Sequence, residues 1–499
     1  MEAADRLTAS RRQITVQFSR KHRLWYAFPI VAWAIAEMLN RLVLNQHMKI
    51  VFAAYQFLDP NALKNDLFRS ILLLHSQPPM LNVAAGIILK LSALSGLSPE
   101  WIANVLFATL GLATGLLLFY LTWRWTGSRL AACISVASYY ANPSYYGGSQ
   151  AGTGRNEFFY EFALQPVLLL VIASASAWLA RPDYRSGIVF LLAVSLVVNT
   201  RTLFHPVVWG LISVMAVMLP YALKYRRMVA IFTGCALLLV LGWAIKNYIL
   251  FGIFTPSSLD GYNLGKGFAY LPEPLGQADL NSKLPDATEL LSRFPRIANW
   301  NRKSLEVVTS GTKGDIGPNW NNLYFITTRH EALARAIEGR KNWPVFRDHL
   351  IFMYKFVTRQ MYLHPYAGTA FGAYPDEFTG YLWLYDRALF SPVYVKPPHS
   401  NALYWTVFAF FILPALLFGA LVYVAFSKGN RIGVGLLTYT AFFPVISALL
   451  SDGYEGNRMR HSTYPLMILL AVTIVVGACK GISAIKFLKT KANQGANPS

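Results

Sequence analysis

Long apolar runs recur along this chain and constrain its fold more than any other feature. An α-helix needs about twenty apolar residues to cross a bilayer, and runs approaching that length occur throughout the sequence. They are predicted as spans at 24–44, 101–123, 129–141, 158–179, 186–200, 206–223, 228–250, 403–426, 432–450 and 464–483. The predicted fold class is therefore an all-α, polytopic membrane protein with about ten transmembrane helices.

The composition agrees with this fold class. Hydrophobic residues make up 55% of the 499 residues and charged residues 14%, with a mean hydropathy of +0.37. A soluble chain usually carries about a quarter charged residues. The formal net charge of +21 would suit a nucleic-acid partner, but the basic residues lie in short loops between apolar runs and in both tails. Membrane topology explains this charge, so no nucleic-acid partner is predicted.

The basic loops also predict how the chain is oriented. If the apolar run 81–97 does not cross the membrane, the loops 124–129, 181–185 and 224–227 fall on the side of the basic N-terminus. Cytoplasmic loops are expected to be basic in this way. We therefore predict a juxtamembrane helix at 81–97 in the outer interface, with both termini in the cytoplasm. The alternative is that 81–97 is a short transmembrane span, which would place every later loop on the opposite side of the membrane.

Three parts are predicted along the chain. Residues 1–250 form an N-terminal transmembrane module whose first external loop, 45–100, carries juxtamembrane helices and the catalytic residues. Residues 251–402 form an external loop or small domain, with a helix around Glu331 to Glu338 and an amphipathic segment at 350–363. Residues 403–499 form C-terminal transmembrane helices and a basic cytoplasmic tail.

The first external loop is predicted to carry the chemistry. It holds Asp59 and Asp66 and runs into His75 and Gln77 before a proline pair, which fixes a corner. A positioned carboxylate can take the proton from a hydroxyl that attacks a glycosyl phosphate. Asp59 is also a good turn or helix-cap residue, and a lone histidine before two prolines is no specific sign of catalysis. Both interpretations of each residue stay open.

Charged residues at the outer ends of predicted spans form a second group. Basic residues there run against the positive-inside bias, and charges at span edges are functional candidates. Guanidinium groups bind phosphate in a bidentate manner, so a lipid phosphate would suit them. The alternative is snorkelling or local pairing, for Arg155 with Glu157, for example. Glu37 and Arg41, four residues apart, are interpreted as an intrahelical ion pair.

Several stretches together resemble a known family. They are HSQPP at 75–79, RTLFHP at 201–206, KNYILFG at 246–252 followed by SSLDGYN at 257–263, and EGNRMRHSTYP at 455–465. This combination resembles the GT-C superfamily of integral-membrane glycosyltransferases. It is most similar to the bacterial branch related to protein mannosyltransferases and lipid A aminoarabinose transferases.

The resemblance implies an inverting transfer on the outer face from a polyprenyl-phosphate sugar, with a base from the first external loop. This chain lacks the acidic pair that such enzymes often place just after the first span, so Asp59 and Asp66 both stay candidates, with Asp59 favoured. The predicted catalytic residues are Asp59, Asp66 and His75. The predicted substrate-binding residues are Gln77, Glu157, Glu161, Arg201, Lys246, Glu455, Arg458 and Arg460.

We therefore predict a GT-C-type glycosyltransferase of the cytoplasmic membrane, acting in the biosynthesis of cell-envelope polysaccharide. Its predicted partners are the polyprenyl-phosphate sugar, a lipid, polysaccharide or protein acceptor on the external side, and the membrane. No metal ligands and no cofactor are predicted, although a divalent metal stays open. The alternatives are a lipid or polysaccharide flippase or transporter, which should show broken helices and polar residues near mid-bilayer, and a non-catalytic GT-C-like subunit.

Overall fold

The described part of the chain is built from helices. The computed structural model describes residues 24–43, 45, 47–54, 56–146, 155–180, 183–201, 204, 226–259, 284–341, 344, 347 and 462–479. Besides helices, these ranges contain two isolated β-bridges. The predicted spans at 206–223, 403–426 and 432–450 and the amphipathic segment at 350–363 lie outside them.

The helices are numbered here in chain order. They are α1 (Ala27–Met38), α2 (Pro60–Asn65), α3 (Leu67–Leu73), α4 (Met80–Ser95), α5 (Pro99–Thr126), α6 (Arg129–Tyr140), α7 (Pro143–Tyr146), α8 (Tyr160–Ala180), α9 (Tyr184–Thr200), α10 (Arg226–Phe251), α11 (Ala287–Ser292), α12 (Pro295–Ala298), α13 (Arg302–Thr309), α14 (Tyr324–Thr327), α15 (Arg329–Lys341) and α16 (Ser462–Cys479). A 3₁₀ turn, Leu24–Tyr26, precedes α1, and a π turn, Leu39–Val43, continues it.

Three of the described helices are long and apolar enough to cross a membrane. They are α5, the Tyr160–Trp178 part of α8, and α16. Helix α5 has 28 residues, so it rises about 42 Å, more than the hydrocarbon core of about 30 Å. The chain is therefore a helical membrane protein, and the predicted total number of spans stays a prediction.

Two shorter helices lie where the sequence predicts apolar runs, but they are too short to cross the hydrocarbon core as straight spans. Helix α6 matches the run 129–141, yet its 12 residues rise only about 18 Å. Pro143 disfavours helix at Asn142, and the chain continues through the one-turn helix α7. Helix α4 falls within the run 81–97 apart from its first residue, and its 16 residues rise about 24 Å. This length suits a juxtamembrane helix, whose place in the interface stays a prediction.

Local signals in the sequence explain where α4 ends and α5 begins. Gly96 adopts a φ of 73°, which stops α4 in the left-handed conformation that glycine tolerates. Ser98 then caps α5, because its Oγ accepts a hydrogen bond from the Trp101 backbone N at 3.2 Å. Pro99 occupies the first helical position, where its missing N–H costs nothing.

Helices α1 and α5 run antiparallel, and their two ends differ in chemistry. At one end the Tyr26 ring packs edge-on against Phe119, with 5.3 Å between centroids. At the other end Arg155 donates to both carboxylate oxygens of Glu37 and, at 2.9 Å, to Asn104 Oδ1. We call this second end the polar end.

Three further ionisable side chains also lie at the polar end. Glu161 is in the first turn of α8, Arg201 directly follows α9, and Lys246 lies near the end of α10. Residues 45–79 of the predicted external loop, which we call the first loop, also lie at this end. The Phe57 ring stacks on that of Phe158, just before α8, with 6.1 Å between the ring centroids. These groups therefore share one layer with the first loop.

The opposite end carries a predicted cytoplasmic loop. The Arg129 guanidinium lies over the rings of Trp25 and Trp123, 5.5 Å and 5.4 Å from their centroids. The basic loop 124–129 is thus at the far end of the helices from the first loop. Which side of a membrane each end faces stays a prediction.

Residues 284–341 pack against the first loop in part. Helix α13 buries Leu305 and Val308 and contacts α3. Asn321, just before α14, donates to the Leu73 carbonyl oxygen at 3.1 Å. Helix α15 confirms the helix predicted around Glu331 to Glu338. The predicted domain boundaries at 250/251 and 402/403 stay predictions.

Candidate functional site

Both acids of the first loop cap short helices. Asp59 precedes α2, and its Oδ1 accepts from the backbone N atoms of Asn61 and Ala62 at 2.7 and 3.1 Å. Asp66 caps α3 in the same way and also lies 3.6 Å from the Arg69 Nε. Asp59 is therefore a helix-cap residue, which is one of the two interpretations that the sequence left open. Asp66 is a helix-cap residue as well.

The environments of the two acids nevertheless differ. The Asp66 side chain is 49% exposed and paired with the exposed Arg69. Asp59 is half-buried, and its second oxygen, Oδ2, faces the backbone of Gly314, where a Cβ would lie 3.8 Å away. Asp59 therefore lies between its helix cap and a second segment of the chain, whereas Asp66 faces solvent.

His75 forms a buried corner held by residues far along the chain. Its backbone N and that of Ser76 donate to Asn321 Oδ1 at 2.8 and 3.0 Å. The His75 Nδ1 lies 2.8 Å from Ser258 Oγ. The imidazole packs edge-on against the Phe251 ring, with 5.0 Å between the ring centroids. Within the described residues, Nε2 has no hydrogen-bond partner. Gln77, two residues on, is also buried.

The imidazole of His75 is neutral at physiological pH. Burial and, to a smaller extent, the positive charge of Lys246 together lower its pKa to about 3, and the hydrogen bond with Asn321 opposes the shift. A neutral imidazole offers one donor and one acceptor but no positive charge. His75 is fully buried and uncharged, so it does not neutralise a phosphate, and contact with a sugar stays a proposal.

This shift predicts how stability depends on pH. Between pH 6.5 and about 3 the unfolded chain binds a proton at His75 and the folded chain does not. The free energy of unfolding should therefore fall as pH falls through this window, by up to about 1.4 kcal/mol per pH unit. In thermal unfolding from pH 7.5 to 4.5, the advantage of the wild type over His75→Gln should shrink as pH falls. The exposed His47→Gln is the control, and a constant advantage would contradict the prediction.

Lys246 ties the first loop to α10. Its Nζ donates to the carbonyl oxygens of Leu72 (3.2 Å) and Leu74, and lies 3.6 Å from the centre of the Trp243 ring. An ammonium group at the C-terminal end of α3 also meets the negative end of the helix dipole. Two of the three Lys246 N–H donors are therefore used within the protein, and contact with a lipid phosphate stays a proposal.

Glu161 and Arg201 form a buried ion pair between α8 and α9. The Glu161 Oε1 lies 3.0 Å from Arg201 Nη1, with side chains 0% and 4% exposed. The guanidinium also lies 4.8 Å above the centre of the Tyr160 ring. The sequence singled out both residues separately, and the structure brings them together at the polar end.

The expected Glu37–Arg41 ion pair is wrong. Glu37 instead pairs with Arg155, whose Nε and Nη2 donate to its two oxygens at 2.8 and 2.7 Å. Tyr145 donates its hydroxyl to the same carboxylate at 2.9 Å. A bidentate, buried guanidinium is a stronger partner than the exposed Arg41 one turn away. The alternative pairing of Arg155 with Glu157 is also replaced by this contact.

Glu157 lies where the first loop meets the beginning of α8. It forms a parallel bridge with Lys49: the Lys49 N donates to the Asn156 carbonyl oxygen at 2.8 Å, and the Phe158 N donates to the Lys49 carbonyl oxygen at 2.9 Å. Glu157 is buried within this junction. The remaining predicted residues, Glu455, Arg458 and Arg460, lie outside the described residues.

Sequence reasoning missed Lys313 and Asn321, which hold the first loop from the other side. They occur in a stretch rich in glycine and asparagine, which signals turns but not burial. They are separated in sequence from the first-loop residues that they contact by about 250 residues, so no local pattern reveals these contacts. Within the described ranges, no group of three or more His, Cys, Asp or Glu side chains could hold a metal ion.

Comparison with known proteins adds little. No family model matches this chain, and no curated protein matches it. It is similar to the solved structure of ArnT from Cupriavidus metallidurans bound to undecaprenyl phosphate, at 13% sequence identity and a TM-score of 0.33, over 89% of this chain and 77% of that chain. Likeness at this level does not establish a shared fold.

Proposed function

We propose that this protein is a membrane glycosyltransferase that moves a sugar from a polyprenyl-phosphate donor to a lipid, polysaccharide or protein acceptor, with inversion. The observation that carries the proposal is the layer of charged groups at the polar end. Within the described residues, Glu161, Arg201 and Lys246 all lie close to the ends of their helices. A carrier needs polar groups near mid-bilayer, whereas chemistry on a lipid headgroup needs them at one surface.

Asp59 is the proposed base. The acceptor hydroxyl attacks the anomeric carbon of the donor sugar and gives its proton to the carboxylate, while the bond between that carbon and the phosphate oxygen breaks. Polyprenyl phosphate is the leaving group, and its phosphate oxygen keeps the electron pair of the broken bond. Asp59 suits this role better than Asp66 because it is half-buried beside Gly314, whereas Asp66 is exposed and paired with Arg69.

Cations at the polar end are proposed to stabilise the leaving phosphate. The Arg201 guanidinium is oriented by Glu161 and Tyr160, and groups fixed in advance stabilise developing charge without reorganisation. Lys246 adds a second basic side chain. On the basis of the sequence, Arg458 and Arg460 are proposed to join these basic groups, with Glu455 beside them. The neutral corner of His75 and Gln77 is proposed as the wall against which the sugar lies.

The basic loops support a proposed orientation of the active site. The loop 124–129 lies at the end opposite the first loop, and basic loops favour the cytoplasm. We propose that the polar end faces the exterior of the cytoplasmic membrane, with both termini inside. Such an enzyme would act in the assembly of cell-envelope glycans.

Photolabelling with a polyprenyl phosphate tests the proposed binding site. The purified protein in lipid nanodiscs is irradiated with a lipid that carries a photoreactive group next to its phosphate, and the adducts are mapped by mass spectrometry. We expect adducts within 155–161 and around Arg201 and Lys246, and competition by unlabelled polyprenyl phosphate. The matching polyprenol without phosphate is the control. Adducts at 120–130, or equal labelling by the polyprenol probe, would contradict the proposal.

A further inference from the structure

Lys313 is a buried lysine whose charge is met by backbone carbonyl groups. Its side chain is 1% exposed. Its Nζ lies 2.9 Å from the carbonyl oxygens of Phe52 and Ala54, 3.2 Å from that of Phe57 and 3.4 Å from that of Ala53. These four oxygens belong to one turn of the first loop, which we call the carbonyl cradle.

The carbonyl cradle has the chemistry of a cation site. Rings of backbone carbonyl oxygens replace the hydration shell of a monovalent ion in other proteins, and an ammonium group presents three N–H donors to such a ring. Burial lowers the pKa of Lys313, the neighbouring Asp59 carboxylate opposes this shift, and the resulting pKa is about 8. A buried charge is tolerated only when it is compensated in this way.

A tight turn places Lys313 in the cradle. The Lys313 backbone N donates to the Gly317 carbonyl oxygen at 2.8 Å, and the Ile316 N donates back to the Lys313 carbonyl oxygen at 3.1 Å. Gly314 has a φ of 56°, a conformation that side-chain-bearing residues rarely adopt. The backbone thus fixes the direction of the Lys313 side chain before it meets the first loop.

A second contact holds the first loop on the far side of its two acids. Asn321 donates to the Leu73 carbonyl oxygen and accepts from the backbone N atoms of His75 and Ser76. Residues 310–322, which we call the bracing segment, therefore grip the first loop before Asp59 and again after α3. Asp59 therefore lies between the two contacts.

We propose that Lys313 is a positioning residue: its ammonium group takes the place of a bound cation in the carbonyl cradle and thereby fixes Asp59 under the bracing segment. The cradle stands on its own geometry, whereas the effect on catalysis rests on the proposed function. If the side chain is shortened, the carbonyl oxygens lose their cation and the turn at 52–57 loosens. A small cation added to the solution can then enter the vacated cradle.

The first experiment measures the cradle without reference to any activity. Amide hydrogen exchange of residues 52–58 is compared for wild type, Lys313→Met, Lys313→Ala and Lys313→Arg, with the exposed Lys303→Met as the matched control. We expect exchange to rise by roughly tenfold in the Met and Ala variants and to stay unchanged in the control. High concentrations of ethylammonium or K⁺, but not the bulky choline ion, should restore protection to Lys313→Ala, and Lys313→Arg should retain part of it.

The second experiment measures transfer of a labelled sugar by the same variants. We expect kcat to fall by about ten- to a hundredfold in Lys313→Met with KM for the donor unchanged, because a small displacement of a catalytic group is costly. Unchanged exchange at 52–58, or rescue by choline as effective as by ethylammonium, would overturn the cradle. Raised exchange with normal kcat would overturn the link to Asp59. Absence of transfer by the wild type would overturn the proposed function and that link, while the exchange data would still decide the cradle.

Discussion

Asp59→Asn is expected to lower the rate of sugar transfer by about 10²- to 10⁴-fold without destabilising the protein. Asparagine caps a helix about as well as aspartate does, so its side-chain oxygen can keep the hydrogen bonds from the backbone N atoms of Asn61 and Ala62. An amide cannot take the proton of the attacking hydroxyl. The measurement is kcat with a labelled polyprenyl-phosphate sugar, together with the melting temperature in the same detergent.

Asp66→Asn is the matched control for this result. Asp66 caps α3 through its Oδ1 just as Asp59 caps α2, so the two substitutions remove one negative charge each from equivalent positions. We expect Asp66→Asn to keep most of the activity, because Asp66 is exposed and paired with Arg69. A large loss in Asp66→Asn with a normal rate in Asp59→Asn would transfer the role of base to Asp66. Normal rates in both variants would remove the first loop from the mechanism.

Glu161→Leu is expected to destabilise the protein by about 3–5 kcal/mol, the usual cost of removing one partner from a buried ion pair. The Arg201 guanidinium would stay 96% buried without the carboxylate at 3.0 Å, and a guanidinium cannot shed its proton. Arg201→Met should cost less, because a buried carboxyl group can take up a proton. The double variant Glu161→Leu with Arg201→Met should recover most of the loss, since two apolar side chains can fill the same space. The measurement is chemical or thermal unfolding of the three variants.

The exposed ion pair of Glu289 and Arg293 provides the control. Its side chains are 55% and 53% exposed and lie 2.8 Å apart, so Glu289→Leu removes a similar contact from solvent. Exposed pairs are worth at most about 1 kcal/mol, and we expect a loss within that range. Equal losses for Glu161→Leu and Glu289→Leu, or no recovery in the double variant, would show that the Glu161–Arg201 pair is not a buried, coupled unit.

Local structure was largely predictable from the sequence because local signals decide it. Glycine, serine and proline at 96–99 fix the junction of α4 and α5, and the cap that Asp59 provides is one of the two interpretations that the sequence left open. The apolar runs placed α5, α8 and α9 within a few residues. Helix caps and apolar periodicity act over a single turn or a single helix, so one sequence is enough to reveal them.

The partners of charged groups were not predictable, since packing between distant segments decides them. Glu37 has Arg41 one turn away, yet it pairs with Arg155, which is 118 residues distant. Glu161 and Arg201 stood out as charges at span ends, but their meeting depends on how α8 and α9 pack. The contacts of Lys313 could not be predicted at all, because its partners are backbone carbonyl groups, which every residue has.

The most direct measurement is the transfer reaction of the wild-type protein. Purified protein in nanodiscs is mixed with polyprenyl-phosphate donors that carry labelled sugars and with a lipid and glycan extract as acceptor, and the anomeric configuration of the product is determined by NMR. The proposed function predicts a labelled product with inverted configuration that is nearly absent with Asp59→Asn. Intact donor in every mixture, or product formed at the same rate by Asp59→Asn, would contradict it.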